Sequence, residues 1–498
     1  MKEASNTLDN LDFSKENFHI LLDRLGKAEA KIKWFEEQFK INRDRVFGKS
    51  SEKLPKQQLL FDAMESDEVE IESEKETITY TRNKPKSCGR KLDASKLPRE
   101  RVEHDVEDKT CFCCGKELVK IGEDISEQIE FIPAVLKVIE HVTLKYACKD
   151  CATIKQGKKP ETVIPKAMAA ASLITEVVIK KYQHHQPLYR QSKIFSQEGF
   201  DIPDNTLGNW VMKAGVTLEL LEDALWTQVP ATKVLQADET PVVVLSRDTK
   251  GYMWVYNGCD PGNRFVIFEY ANSRAGAVVN NRLDKYEGIL QTDGYSGYNK
   301  LRDKAKIINV GCWAHSRRKY MAIVKTAKTS GKAHQGVSYI DKLYKLEREI
   351  KDLEFADRKR LRQEKAKPIL KTLKAWVEKS LLYVPAESAI GKALSYTARQ
   401  WPYLYEYVNH GEVEIDNNWA ENQIRPFALG RKNWLFLGNE DSAAISARYY
   451  SLIQSCIINK IDPRNYLSYV FTQVHKMRRG EVDPKTLLPQ FIDRNLLS

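Results

Sequence analysis

Three acidic residues stand where a carboxylate is awkward for a fold and useful for holding metal. Asp238 closes the run Val234-Leu-Gln-Ala-Asp238 and precedes Glu239-Thr-Pro-Val-Val-Val-Leu245, so an ionised group interrupts a segment that otherwise reads as a buried strand. Burying such a charge without a partner is very costly. Asp293 repeats the pattern, ending Gly288-Ile-Leu-Gln-Thr-Asp293 just before the turn-like Gly294-Tyr-Ser-Gly-Tyr298. Glu421 lies in Asp416-Asn-Asn-Trp-Ala-Glu-Asn-Gln-Ile-Arg-Pro426, a short helix candidate in which it can face the same point as the other two. Converging carboxylates without matching cations call for a divalent ion, and hard oxygen ligands suit Mg2+ or Mn2+.

A second ligand set is made of sulfur. Cys111 and Cys114 form one Cys-x-x-Cys knuckle, and Cys148 and Cys151 form another at ribbon-like separation. Four thiolates placed tetrahedrally close a structural Zn2+ site with no open position, which gives this zinc an architectural role and not a catalytic one. Cys113 is an extra thiol in the first knuckle. A two-residue gap lets Cys111 and Cys114 reach one ion, while the adjacent Cys113 points away. The nine cysteines are an odd number, and this spacing argues for reduced thiols over a disulfide framework.

These ligands sit in a chain of 498 residues, too long for one hydrophobic core and sufficient for three or four modules. Lys and Arg outnumber Asp and Glu by 79 to 68, and the net charge of +11 leans toward a polyanionic partner. No apolar run is long enough to span a bilayer and the start lacks a signal-peptide core, so a cytoplasmic, nucleoid-associated protein without membrane contact is expected.

The elements that must position the ligands follow from periodicity. Phe18, Leu21, Leu25, Ala28, Ile32, Phe35 and Phe39 alternate spacings of three and four, the seam of a short coiled coil that would join two copies of the chain. An amphipathic helix packed on its own domain would have the same pattern. An acidic stretch from Asp62 to Glu76 and a basic one from Arg82 read as a charged linker. Between Tyr182 and Val211 the pattern is helix, Gly-containing turn, helix; Asp204 or Asn205 would cap the second helix, with Thr206, Asn209 and Lys213 on its outer face. Such a unit either sets its second helix in a DNA major groove or is a plain helical hairpin. Five strand candidates follow at 234–245, 251–256, 264–270, 288–292 and 307–312, with a helix over 276–286 between the third and fourth. Three meandering strands, a crossover helix and a further strand match the order of a ribonuclease-H-like α/β core. In that order the first and fourth strands are neighbours, and Asp238 and Asp293 meet at one end of the sheet. The Lys-, Glu- and Leu-rich segment 335–399 reads as a helical insertion before Glu421.

Four segments together carry a family resemblance. Leu235-Gln-Ala-Asp-Glu-Thr-Pro-Val242, Thr292-Asp-Gly-Tyr295, Gly311-Cys-Trp-Ala-His-Ser-Arg-Arg-Lys319 and Ala420-Glu-Asn-Gln-Ile-Arg-Pro-Phe-Ala-Leu-Gly-Arg-Lys-Asn-Trp-Leu-Phe436 resemble the insertion sequence 66 family of DDE transposases, and the likeness runs nearly end to end. The resemblance implies that Asp238, Asp293 and Glu421 are the catalytic triad of a DNA strand-transfer enzyme. Two Mg2+ ions (or Mn2+) per active site would serve the attacking and leaving oxygens at once. It implies a multidomain α+β chain: an N-terminal helix or coiled coil at 1–61, a charged linker at 62–104, a zinc ribbon at 105–165, a helical DNA-binding domain at 166–229, a catalytic core at 230–330 and 400–450, the insertion at 331–399 and a helical tail at 451–498. Double-stranded DNA, a second copy of the chain and accessory proteins from the same element are the expected partners. His315, Arg317, Arg318 and Lys319 would contact phosphate near the metals, and Arg425, Arg431 and Lys432 would grip the duplex. Trp434 would stack on an unpaired base or sit in the core. A hydrolytic nuclease or resolvase of the same fold, and a non-catalytic zinc-containing DNA-binding regulator, are the competing readings.

Overall fold

A computed structural model describes residues 29, 32, 136–147, 154–157, 160–326 and 330–497. The predicted coiled-coil seam, apart from helical Ile32, lies outside these residues, as do the charged linker and Cys111, Cys113, Cys114, Cys148 and Cys151. The chain divides into two compact units, one of residues 49–142 and one of residues 1–48 with 143–498, and the sheets and their helices belong to the larger.

Two three-residue strands, β1 (Lys145–Ala147) and β2 (Ile154–Gln156), pair antiparallel. The main sheet is built from β3 (Val234–Val242), β4 (Gly251–Gly258), β5 (Phe265–Ala271), β6 (Gly288–Gln291) and β7 (Ile307–Val310), in the order β5-β4-β3-β6-β7. The β3–β4 and β4–β5 pairs are antiparallel, joined by loops whose turns include Gly262 at φ +79. The β3–β6 and β6–β7 pairs are parallel; helix α5 (Gly276–Arg282) makes the crossover from β5 to β6, and the one-turn α6 (Asn299–Arg302) lies between β6 and β7. Each of the five strands of this sheet and helix α5 overlap their predicted spans to within a few residues at either end.

The period of two divides the sheet between two cores. Leu235 and Leu290 face one apolar cluster, while their neighbours Val234, Ile289 and Val310 face the other. The first cluster joins the sheet to helices α1 (Ala171–Tyr182), α2 (Leu188–Gln197), α3 (Asp204–Val216) and α4 (Glu219–Trp226), and to α12 (Asn418–Trp434), α13 (Glu440–Ile458) and α14 (Pro463–Arg478). The second joins it to α7 (Trp313–Val324), α8 (Lys332–Ile350), α10 (Lys367–Tyr383) and α11 (Ala389–Glu406), with the short α9 (Phe355–Leu361) between α8 and α10. The segments expected to form separate units at 166–229 and 451–498 thus share a continuous core with the sheet, and α11 and α13 run unbroken through the expected boundaries at 399 and 450.

Helix α13 also closes the β5 edge. Ser455 and Ser451, one helical turn apart, accept from the backbone N–H groups of Val266 (2.9 Å) and Phe268 (2.8 Å). An edge strand otherwise presents a row of unpaired donors and acceptors, so these serines satisfy groups that would cost free energy buried. Among the described residues no helix is long and apolar enough to cross a membrane.

The carboxylate site and its glutamine bridge

Gln236 and Gln291 face each other in the parallel register of β3 and β6. Both are buried, and the side-chain amide of Gln236 donates to the side-chain oxygen of Gln291 at 2.8 Å. Asp238 and Asp293 each lie two residues further along, so the shared direction of the parallel strands carries both to the same end of the sheet. One oxygen of each carboxylate is held locally: Asp238 Oδ1 accepts from the Glu239 N–H (2.8 Å), and Asp293 Oδ1 from the Tyr295 N–H (2.8 Å) in an Asx-type turn.

The same glutamines fasten the returning chain that carries Glu421. Gln291 donates to the carbonyl of Glu414 (2.8 Å), Gln236 donates to that of Asp416 (3.3 Å), and Gln236 Oε1 accepts the N–H of Ala420 (3.0 Å). Asp416 accepts the N–H of Asn418 (3.1 Å) and the hydroxyl of Tyr344 (2.7 Å), which orients the first turn of α12, where Glu421 sits. This helix is not short. It runs 17 residues through Pro426, because Ile424, Phe427 and Gly430 bury one face and offset the missing proline N–H.

Electrostatics marks the site. Burial pushes the Asp238 carboxyl well above the usual carboxylate range, and the charges of Glu239, Asp293 and Glu421 push it further. Asp416 is raised to about 6, chiefly by burial. Glu239 is raised by burial too, although Arg274 (2.6 Å) and the Tyr298 hydroxyl (2.8 Å) hold it. Glu421 meets two basic side chains from α7: Arg318 binds its Oε2, and His315 Nε2 lies 3.7 Å from its Oε1. Burial, followed by the charge of Arg318, lowers the His315 pKa.

Among the described residues, the three ligand atoms within 4.8 Å of one another belong to Cys312, His315 and Glu421; the three carboxylates are not drawn together so tightly. A two-ion centre does not need them to be, since its ions sit roughly 3.5–4 Å apart and the ligands are spread around both. The donor set fits hard divalent ions: the three carboxylates are mutually repelling, and Glu421 Oε1 is a buried oxygen with no hydrogen-bond partner.

The cations expected beside the site divide by position. Lys319, Arg425 and Lys432 are exposed. Arg317 instead pairs with Asp341 of α8 (2.7 Å), and Arg431 is bound to Thr240 (3.0 Å) and to the Pro241 carbonyl, tying α12 to β3. Both guanidinium groups are therefore engaged within the fold. Trp434 packs edge-on against Phe427 as a core residue. On α3, Asn209 and Lys213 are exposed and Thr206 is partly so, but Pro203 is the N-cap and neither Asp204 nor Asn205 caps the helix. His185 is half-buried at φ +58 against Gly430. Sequence reasoning missed Gln236, Gln291 and Glu239, whose signal was their strict offset from the two aspartates. It also missed Cys312, whose signal was its place three residues before His315.

The chain is similar to known proteins along most of its length. A family profile described as "Transposase IS66 family" matches residues 166–445, one described as "zinc-finger binding domain of transposase IS66" matches 108–152, and one described as "Transposase C of IS166 homeodomain" matches 34–102. The class is that of transposases. The chain belongs to the IS66 family of transposases. The span 108–152 contains both cysteine knuckles and supports bound Zn2+ there. Among curated relatives, the uncharacterized protein y4hP of Sinorhizobium fredii (strain NBRC 101917 / NGR234) is 32% identical over 420 residues, covering 80% of this chain and 75% of its own length. The uncharacterized protein y4jD of the same strain is 31% identical over 409 residues, covering 79% and 80% respectively.

Proposed function

We propose that this chain is the DNA transposase of an insertion sequence, binding terminal inverted repeats and catalysing metal-dependent 3′-end cleavage and strand transfer. The observation that carries the reading is the placement of Asp238, Asp293 and Glu421 by one hydrogen-bonded pair, Gln236 and Gln291, so that their charges act on one another. Strand order and direction support a ribonuclease-H-like core.

Asp238, Asp293 and Glu421 would hold two divalent ions, Mg2+ or Mn2+. When bound, these supply Lewis-acid stabilisation of the attacking and leaving oxygens and of the crowded phosphorus. The protein's own groups set the stage for it. Glu239 stays paired with Arg274 and Tyr298, which fixes β3 beneath Asp238. Arg318 neutralises Glu421 in the metal-free chain and is free to turn to phosphate once an ion takes its place. Lys319, Arg425 and Lys432 contact the DNA backbone, and Thr206, Asn209 and Lys213 enter a major groove. Water attacks the phosphodiester at a transposon end, breaking the P–O3′ bond to leave a 3′ hydroxyl and a 5′ phosphate; that hydroxyl then attacks a target phosphodiester, forming a new P–O bond as the target's 3′ oxygen leaves and takes up the proton. Two copies joined through the N-terminal seam would present two ends together, with accessory proteins of the same element assisting.

The test is strand transfer with pre-cleaved transposon ends. Wild-type protein is expected to yield joined product, and Asp238→Asn to bind the ends without joining them. Hydrolysis without any joined product would favour a nuclease, and cleavage unchanged by Asp238→Asn would remove the carboxylate from the chemistry.

A further inference from the structure

One group of side chains beside the carboxylates has a different chemistry from them. Cys312 is the N-cap of α7, His315 lies in its first turn, and Glu421 reaches in from α12; their ligand atoms lie within 4.8 Å of one another. Two atoms in this pocket, His315 Nδ1 and Glu421 Oε1, are buried without a hydrogen-bond partner. Buried polar atoms are paired in the great majority of cases, so two orphans on neighbouring side chains leave capacity for a further partner. The third member is arranged as an electron-pair donor: Cys312 Sγ accepts the N–H of Asn417 (3.4 Å).

We propose that Cys312, His315 and Glu421 form a site for a zinc-class divalent cation, sharing Glu421 with the Mg2+ site, so that zinc occupancy and Mg2+-dependent chemistry exclude each other. The sharing rests on the reading of Glu421 given above; the binding does not. A sulfur, a nitrogen and an oxygen ligand select a borderline ion such as Zn2+ and disfavour Mg2+, which prefers oxygen and near-octahedral geometry. Tetrahedral bonds of about 2.0–2.3 Å place ligand atoms about 3.3–3.8 Å apart, so the pocket closes on an ion with side-chain shifts on the order of 1 Å. Three protein ligands leave the fourth position to water. The Cys312 thiol gives up its proton to solvent on binding, so uptake releases one proton and strengthens as pH rises. Arg318 opposes the ion, but it holds Glu421 by Oε2 and is itself partly exposed, so it can swing away.

The experiment is metal content of the full chain after equilibration with Zn2+ and removal of excess, measured by mass spectrometry beside Cys312→Ser and His315→Gln. Each variant is expected to retain one equivalent of zinc per chain fewer than wild type, while the cysteine knuckles keep theirs. Equal content in all three proteins overturns the site. Two different variants guard against a folding defect in one. In parallel, DNA cleavage driven by Mg2+ is titrated with Zn2+, each protein normalised to its own zinc-free rate. Wild type is expected to be inhibited at zinc concentrations at least tenfold below those inhibiting Cys312→Ser; equal sensitivity overturns the sharing of Glu421. If wild type cleaves nothing with Mg2+ yet the difference in zinc content stands, the transposase chemistry fails and the zinc site does not.

Discussion

Gln236 and Gln291 join side chain to side chain at 2.8 Å across two parallel strands, each two positions before an aspartate of the site. Through Gln236 Oε1 the pair also holds the N-terminus of the helix bearing Glu421. Three carboxylates distant in sequence thus depend on one buried amide bridge. Replacing Gln236 with Ala strands the Ala420 N–H and the Gln291 oxygen in the core, at a cost of about 1–3 kcal/mol. Urea denaturation is expected to register that loss, and cleavage to fall by more than the unfolded fraction explains. Unchanged cleavage in a destabilised protein would confine the bridge to stability.

The pH dependence of the metal-free chain has a definite sign. Asp238 and Asp416 both have folded-state pKa values raised above the unfolded ones, so the stability linked to each is full below the unfolded pKa and is lost as pH rises through the folded one. For Asp416 that window runs from the ordinary value of 3.8 to about 6, and for Asp238 it extends upward from the same start. Thermal midpoints without metal should therefore decline from about pH 4 to neutrality. Asp416→Asn is expected to flatten the lower part of this decline, and Asp238→Asn to flatten it while raising the neutral midpoint. A midpoint unmoved by Asp238→Asn would mean that the carboxylate is not strained in the folded chain.

Arg318 occupies Glu421 as a counter-ion. Arg318→Ala is expected to tighten Mn2+ binding to the DNA-free protein several-fold, measured by calorimetry, because the competing cation is gone. The same variant should cleave DNA more slowly through the loss of a phosphate contact. Weaker Mn2+ binding in the variant would contradict the exchange of arginine for metal.

Gly276 opens the crossover helix against the loop after Asp293. A Cβ at this position would stand 2.3 Å from the Gly297 carbonyl oxygen, a backbone atom that moves only with its loop. Gly276→Ala is expected to destabilise the protein by about 1–3 kcal/mol and to depress cleavage while leaving DNA binding intact. Wild-type cleavage would show that the loop adapts without disturbing Asp293.

Much of the site was legible because charge in an apolar strand is conspicuous. Asp238 and Asp293 stood out for that reason, and the meander followed by a crossover gave their neighbourhood. The length of α12 was hidden by Pro426, whose cost is met by tertiary burial that local pattern does not reveal. Arg317 and Arg431 read as free cations because their partners, Asp341 and the β3 residues Thr240 and Pro241, are brought to them only by folding. The glutamines passed as ordinary strand residues, since a buried amide announces itself only through the partner opposite it. The continuity of α1–α4 with the sheet was equally hidden: their apolar faces look the same in sequence whether they cover one another or a neighbouring sheet.

The most direct test of the carboxylate site is anomalous diffraction from crystals of the full chain soaked in Mn2+. Two peaks roughly 3.5–4 Å apart, ligated by Asp238, Asp293 and Glu421, are the predicted result. Peaks elsewhere, or none beside Asp238 in crystals that bind Mn2+ at other sites, would contradict it.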